Sequence, residues 1–128
     1  MMILHLTTQT AWNIAQQRGE YRAESLVVEG FIHCSTSEQI LGVANRFYRD
    51  VPELVLLWID PARIPAEVRW EAPVHPAKAG DTEDVAHASE LFPHVYGPIP
   101  LDAVIRVEDF RPDQDGIFRD NLNSSNKG

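Results

Sequence analysis

Cysteine, basic residues and long apolar runs are all scarce in this chain. Its single cysteine, Cys34, excludes an internal disulfide, and no residue spacing resembles a zinc knuckle. With 11 basic against 19 acidic residues, the net charge of -8 argues against a nonspecific nucleic-acid binder, which needs a basic surface. No apolar run approaches the roughly 20 residues that span a bilayer, and no leader pattern is found. We therefore expect a cytoplasmic protein without a membrane segment.

The remaining composition is sufficient for one hydrophobic core. Of the 128 residues, 44% are hydrophobic, which suits a single domain of ordinary size. The chain becomes polar from Pro112 onward, and polar ends tend to fray. We predict one domain over residues 1–118 and a polar, disordered tail over residues 119–128.

The pattern of apolar residues predicts an α+β fold. Alternation, or short apolar runs bounded by turn residues, indicates strands over residues 2–7, 31–35, 54–59, 68–71 and 104–110. The run over residues 54–59 is unbroken, which suits a strand buried on both faces. Trp12, Trp58 and Trp70 are expected in the core, and Cys34 is expected to be a buried apolar residue.

Two N-terminal helices are predicted. The first is capped by Thr8 or Thr10 and ends before Gly19, at about residue 17. The second follows a capping box over Ser35–Glu38, in which the serine hydroxyl caps the helix and the glutamate reaches back, and it extends to about Arg49. Because helices do not alternate with strands after this point, the pattern excludes a doubly wound fold.

Two of the predicted strands each carry a histidine with a hydroxyl two residues later. These are His5 with Thr7, and His33 with Ser35, the second pair preceded by Phe31. Alternate side chains of a strand share a face, so each pair points to one side of its strand. If the strands are neighbours, we expect the two imidazoles and two hydroxyls to converge on one polar site beside Phe31.

Further candidate residues lie in the second half of the chain. Residues 73–90 and 92–100 are predicted as loops, the second braced by prolines. His94 and Tyr96 lie in this braced segment, and polar and aromatic residues on a rigid loop are common material for binding sites. We expect both side chains to contact a small-molecule ligand.

Several motifs together resemble the domain of unknown function 952 family, over about residues 2–118. The most specific blocks are Gly30–Ser35 and Phe92–Ile99. The other matching positions are His5-Leu6-Thr7, Trp12, Gly19-Glu20-Tyr21, Ser25-Leu26, Glu29 and Glu71. The family has no established activity, so the resemblance implies a fold before it implies a reaction.

The family is similar in turn to the ADP-ribosyltransferase superfamily, which implies a split, strongly bent β-sheet core that grips NAD in a cleft. The resemblance implies that His5 hydrogen-bonds the adenosine ribose, with Thr7 beside it. It places His33 and Ser35 against the nicotinamide ribose, as in the RNA 2′-phosphotransferase branch, which uses two histidines. The implied substrate is NAD or another ADP-ribose compound.

The chemistry of NAD cleavage adds two requirements. Because it passes through an oxocarbenium-like state, the protein must hold the nicotinamide ring and stabilise positive charge with an anion. Phe31 and Tyr96 are the aromatic residues that we expect to contact the ring. The chain lacks the Glu-x-Glu or Gln-x-Glu pair of the transferases, and Glu71 is the nearest candidate for the anion. Arg69 and Arg106 could bind phosphate in an RNA 2′-phosphotransferase-like enzyme.

Two other functions remain open. The missing acidic pair favours a non-catalytic domain that binds a small molecule or peptide in the same cleft without turnover. Metal-assisted hydrolysis would use His5, His33 and His94, because three imidazoles suit zinc. No spacing requires a metal, so none is expected.

Overall fold

The computed structural model describes residues 1–73 and 90–119. Eight strands lie within these ranges: β1 (Ile3–Thr8), β2 (Glu20–Tyr21), β3 (Ile32–His33), β4 (Leu54–Ile59), β5 (Val68–Glu71), β6 (Phe92–Val95), β7 (Ile99–Pro100) and β8 (Val104–Asp109). The helices of the same ranges are α1 (Gln9–Arg18), α2 (Glu24–Val28) and α3 (Ile40–Phe47), with short 3-10 helices at Pro61–Arg63 and Leu101–Ala103. The predicted α+β class is confirmed.

Two three-stranded antiparallel sheets carry most of the strands. Their orders are β1-β4-β8 and β3-β6-β5, and β2 pairs separately with β7. Leu4 and Ser35 join the two larger sheets through reciprocal backbone hydrogen bonds of 2.7 and 2.8 Å. Beyond this pair no further backbone pairing links β1 to β3 in the described ranges, so the array β8-β4-β1-β3-β6-β5 splits there.

The strands β1 and β4 are buried on both faces. On one face, residues such as Ile3 and Leu57 join a cluster with Trp12 of α1. On the other face, Leu4 and Leu56 belong to a cluster that includes Ile40 and Ala44 of α3. Burial on two sides explains the unbroken apolar run of β4, as predicted from its sequence.

The helix α1 has the termini that its sequence predicts. Thr8 is the N-cap, and its Oγ1 accepts a hydrogen bond from the Ala11 backbone N–H at 3.1 Å. Gly19 follows the helix with φ at 87°, a left-handed conformation that glycine adopts without a steric cost.

The capping box of α3 lies one residue later than predicted. Thr36 Oγ1 accepts from the Gln39 N–H at 3.2 Å, and Gln39 Oε1 accepts from the Thr36 N–H at 2.9 Å. The Ile40 N–H already donates to the Thr36 carbonyl, so the first turn begins at Thr36. Ser35 is held in the pairing with Leu4, which is why the predicted Ser35–Glu38 box is wrong.

The proline-rich segment is a strand rather than a loop. β6 is the central strand of its sheet despite Pro93, which pairs with Trp70 of β5. The Pro93 carbonyl accepts from the Cys34 N–H at 3.0 Å, where β3 has already ended. Pro93 follows the first residue of β6 and lies just past the end of β3, so its missing N–H removes at most one hydrogen bond of the ladder. The predicted braced loop at His94 is therefore corrected to a strand.

The tryptophans differ from one another in burial. Trp12 is buried as predicted, whereas Trp58 is partly exposed and donates from Nε1 to Glu108 Oε1 at 2.6 Å. Trp70 is 41% exposed, so its predicted place in the core is wrong. Cys34 is buried, as predicted, and burial raises the pKa of its thiol.

Two predicted segments lie outside the described residues. The loop over residues 73–90 falls there except at its ends, and so does the tail apart from residue 119. In the ranges that are described, no helix is long and apolar enough to cross a membrane.

Candidate functional site

The pairing of Leu4 with Ser35 decides which side chains share a face. Directly opposed residues of an antiparallel pair point to the same side, so Ser35 lies on the face of Leu4, toward α3. His33 shares this face by alternation, whereas His5 and Thr7 point to the opposite side, that of Ile3. The predicted convergence of both His-x-hydroxyl pairs on one spot is therefore wrong.

His5 instead closes the split between β1 and β3. Its Nδ1 lies 2.5 Å from the His33 backbone carbonyl oxygen, the group that a continued ladder would pair with Leu6. Its Nε2 lies 2.8 Å from the Tyr21 hydroxyl, and that hydroxyl lies 2.9 Å from Thr7 Oγ1. Both ring nitrogens of His5 are thus used within the protein.

The direction of this hydrogen-bond chain follows from the charge of His5. Burial lowers its pKa to about 4, so the ring is neutral at neutral pH. A carbonyl oxygen only accepts, so Nδ1 carries the proton and Nε2 accepts from the Tyr21 hydroxyl. Because Tyr21 has one hydroxyl proton, Thr7 then donates to the Tyr21 oxygen. Burial raises the pKa of Tyr21 to about 12, which keeps that proton in place.

A carboxylate lies at the centre of the polar face of the other sheet. Glu71 Oε1 accepts from the Tyr96 hydroxyl at 2.5 Å and from His94 Nδ1 at 2.9 Å. These two hydrogen bonds, that of Tyr96 first, lower the pKa of Glu71, so it is ionised at neutral pH. The Glu71 side chain is 35% exposed while that of His94 is 2% exposed. The anion therefore faces solvent with its hydrogen-bond donors behind it.

Aromatic rings pack against His94, and a second carboxylate contacts His33. Phe31 stacks on His94 at 4.2 Å between ring centroids, and His33 lies edge-on to His94 at 5.4 Å. His33 Nε2 lies 2.8 Å from Glu29 Oε1. We call Phe31, His33, Glu71, His94 and Tyr96 the site face. It brings five of the predicted site residues, which lie in or directly beside β3, β5 and β6, to one side of their sheet.

A pocket of about 260 Å³ adjoins the site face at His33. We call it the α3 pocket, because α3 and the residue after it form one wall. Residues of β1, and residues in and directly after β3, form the other wall. Its lining residues are Leu4, His5, Leu6, His33, Ser35, Ile40, Val43, Phe47 and Tyr48. Ser35 is thus a pocket residue rather than a helix cap.

The geometry does not group the three predicted imidazoles as ligands. His5 directs its nitrogens to a carbonyl and to a hydroxyl, and His94 directs Nδ1 to Glu71. In residues 1–73 and 90–119, no three His, Cys, Asp or Glu side chains lie close enough together to hold a metal ion.

Comparison with known proteins assigns the family. The sequence pattern of the family described as "Protein of unknown function (DUF952)" matches residues 6–107. The chain belongs to the DUF952 family. It is similar to the crystal structure of protein CC0527 from Caulobacter crescentus, with 25% identity, a TM-score of 0.75, and coverage of 98% of this chain and 99% of that one. The solution NMR structure of CC0527 gives 25% identity and a TM-score of 0.70 over 95% of each chain. No curated protein matches this sequence.

The DUF952 assignment confirms the family that the motifs predict. Two residues near the candidate site had no predicted role there: Tyr21, which holds His5, and Glu29, which contacts His33. Arg69, predicted as a phosphate contact, has its Cζ 4.5 Å from the Tyr96 ring centroid. Tyr21 and Glu29 both lie within the motifs of the family resemblance. Arg69 carries no local signal, because only the pairing of β5 with β6 brings it to Tyr96.

Proposed function

We propose that the site face of this DUF952 chain binds NAD or another ADP-ribose compound, and that the chain is an ADP-ribosyltransferase-like enzyme. The observation that carries the proposal is the ionised, partly exposed Glu71 carboxylate, held by His94 and the Tyr96 hydroxyl. The split array of strands is also what the resemblance to that superfamily implies. NAD is a substrate in this proposal, not a resident cofactor.

The chemistry assigns Glu71 the role of the anion. When the bond between nicotinamide and ribose breaks, its electron pair leaves with nicotinamide, and positive charge develops on the ribose C1′ and ring oxygen. A fixed carboxylate beside that carbon stabilises the charge. A water or hydroxyl oxygen then forms the new bond to C1′ and releases its proton to solvent. The hydrogen bonds from His94 and Tyr96 keep Glu71 ionised and fix its orientation.

Other residues of the site have supporting roles in this proposal. His33, next to His94, is the second catalytic candidate, and Ser35 lies in the adjoining pocket where a ribose hydroxyl could donate to it. Arg69 supplies a cation beside Tyr96 for phosphate oxygens. Arg106 lies over Trp58 in the other three-stranded sheet. Of the two predicted arginines, Arg69 is therefore the one that would bind phosphate in an RNA 2′-phosphotransferase-like reaction at the site face.

Titration and a product assay test the proposal together. NAD, NADP and ADP-ribose are titrated calorimetrically into the wild type, Glu71→Gln and Glu108→Gln, and free nicotinamide is then measured. We expect Glu71→Gln to keep NAD binding within a few-fold and to lose nicotinamide release by about 100-fold or more, as when other charge-stabilising groups are removed. Glu108 is the matched control, because it is also a hydrogen-bonded strand glutamate. Absence of binding to NAD, NADP and ADP-ribose at millimolar concentration would overturn the proposal.

The second candidate is a non-catalytic binding domain with the same cleft. It is favoured by His5, whose two ring nitrogens contact the His33 carbonyl and the Tyr21 hydroxyl and therefore do not face a ribose. In this case NAD or a related small molecule binds to the wild type and no nicotinamide appears. The same two measurements therefore separate the candidates.

A further inference from the structure

The two aromatic residues predicted to clamp a ligand ring already contact groups of the protein. The Phe31 and Tyr96 ring centroids are 5.3 Å apart. A ring inserted between them needs a contact distance of roughly 3.5 Å on each side, which is more than this spacing allows. One face of Phe31 is also stacked on His94, and Arg69 lies over Tyr96. The ring of a bound ligand therefore needs another place.

The α3 pocket supplies such a place. At about 260 Å³ it is slightly smaller than the roughly 300–1,000 Å³ of pockets that hold drug-sized ligands, so its capacity is that of a single ring with a small substituent. Its walls are mainly apolar, with Leu4 on the strand side and Ile40 and Val43 on the helix side. It reaches the site face at His33, whose ring centroid is 5.4 Å from that of His94.

The polar groups of the pocket come from both of its walls. Ser35 and His33 line the strand side, and Tyr48, at the C-terminal end of α3, lies across from them. Burial raises the pKa of the Tyr48 phenol, so its hydroxyl is a neutral donor and acceptor. Apolar walls disfavour a charged group, because burying an unpaired charge is costly. The lining therefore matches an uncharged ring with one hydrogen-bonding substituent.

We infer that the α3 pocket binds an uncharged aromatic amide, or a ring of equivalent chemistry, as the second half of the candidate site. The inference rests on the proposed function, in which NAD is cleaved at the site face beside Glu71 and the neutral nicotinamide leaves into the pocket. The shared chemistry has two sources: the neutral nicotinamide that forms when NAD is cleaved, or a separate aromatic amide. In intact NAD the nicotinamide ring is a pyridinium cation, which apolar walls disfavour. The probe is benzamide, which carries the ring and the amide without ribose or phosphate.

Protein NMR with benzamide tests the inference directly. In the wild type we expect saturable shifts of the Ser35, Val43 and Tyr48 signals. Val43→Phe, which fills the pocket from the helix side, should weaken benzamide binding by at least about tenfold. Val27→Phe is the matched control, because Val27 lies on α2 and is 83% exposed, and it should leave benzamide binding within about twofold. Benzamidine, the cationic analogue, should bind more weakly than benzamide.

The outcomes separate this inference from the proposed function. Benzamide shifts in the α3 pocket without any NAD binding would support the pocket and overturn the NAD proposal. Nicotinamide or benzamide shifts confined to other surfaces, or the absence of shifts at Ser35 and Val43 with either compound, would overturn the pocket. If Val43→Phe does not fold, the wild-type shift map with benzamide and benzamidine still decides the question, because it needs no variant.

Discussion

At the scale of single residues, a buried histidine holds the split between β1 and β3. His5 donates from Nδ1 to the His33 carbonyl, which no backbone N–H of β1 reaches beyond the Leu4–Ser35 pair. Its other nitrogen is satisfied by Tyr21, so the buried ring leaves no unpaired polar atom. Buried polar groups are stable only when they are paired in this way. His5 therefore acts on the site through the backbone of His33.

The neutral state of His5 predicts that stability depends on pH. Burial lowers its pKa from 6.5 to about 4, so the unfolded chain binds more protons between these values than the folded one. The contribution of the neutral ring is complete above pH 6.5 and is lost as the pH falls toward 4, and it amounts to about 3 kcal/mol.

Denaturant unfolding at several pH values measures this contribution. The free energy of unfolding of the wild type minus that of His5→Gln should decrease by about 3 kcal/mol between pH 7 and pH 4. The glutamine does not titrate, so other groups cancel in the difference. A difference that stays constant across this range would contradict a buried neutral His5.

At the scale of elements, the start of α3 fixes one wall of the α3 pocket. The reciprocal hydrogen bonds of Thr36 and Gln39 satisfy N–H groups at the first turn, and Ile40 follows directly into the pocket wall. Ser35, immediately before, is fixed by its pairing with Leu4. The change from strand pairing to the turn that leads into α3 thus takes place within one peptide unit.

Substitution at the capping box tests its position. Thr36→Ala should lower the free energy of unfolding by about 1 kcal/mol, because it removes the hydroxyl that accepts from Gln39. Glu38→Ala, on the exposed side of the same turn, should change it by less than about 0.5 kcal/mol. Thermal or denaturant unfolding of the two variants measures this. A larger loss for Glu38→Ala than for Thr36→Ala would restore the capping box at Ser35.

Local patterns predicted most of the elements but not how they combine. Strands β1, β4, β5 and β8 follow from short apolar or alternating runs, and α1 follows from Thr8 and Gly19. β6 was missed because Pro93 argues against a central strand, and its position just past the end of β3 makes the proline acceptable. Sequence cannot supply this information, since it depends on pairing across the chain.

At the scale of the whole molecule, strand pairing determines the site. The pairing of Leu4 with Ser35 directs the side chains of His5 and His33 to opposite faces, although both histidines belong to the same local motif. Another pairing, in which Arg69 opposes His94, brings Glu71 to His94 and Tyr96 from more than 20 residues away. The residue types of the site were therefore predictable, while the division between a supporting cluster at His5 and an exposed face at Glu71 was not.

The most direct test of the central claim is an amide NMR map of wild-type protein titrated with NAD. We predict saturable shifts at the site face, at Phe31, Glu71 and Tyr96, while the signals of β8 at the far edge of the array remain unchanged. The claim is that the hydrogen-bonded Glu71 carboxylate marks a site for an ADP-ribose compound. No shifts at millimolar NAD, or shifts that exclude the site face, would contradict it.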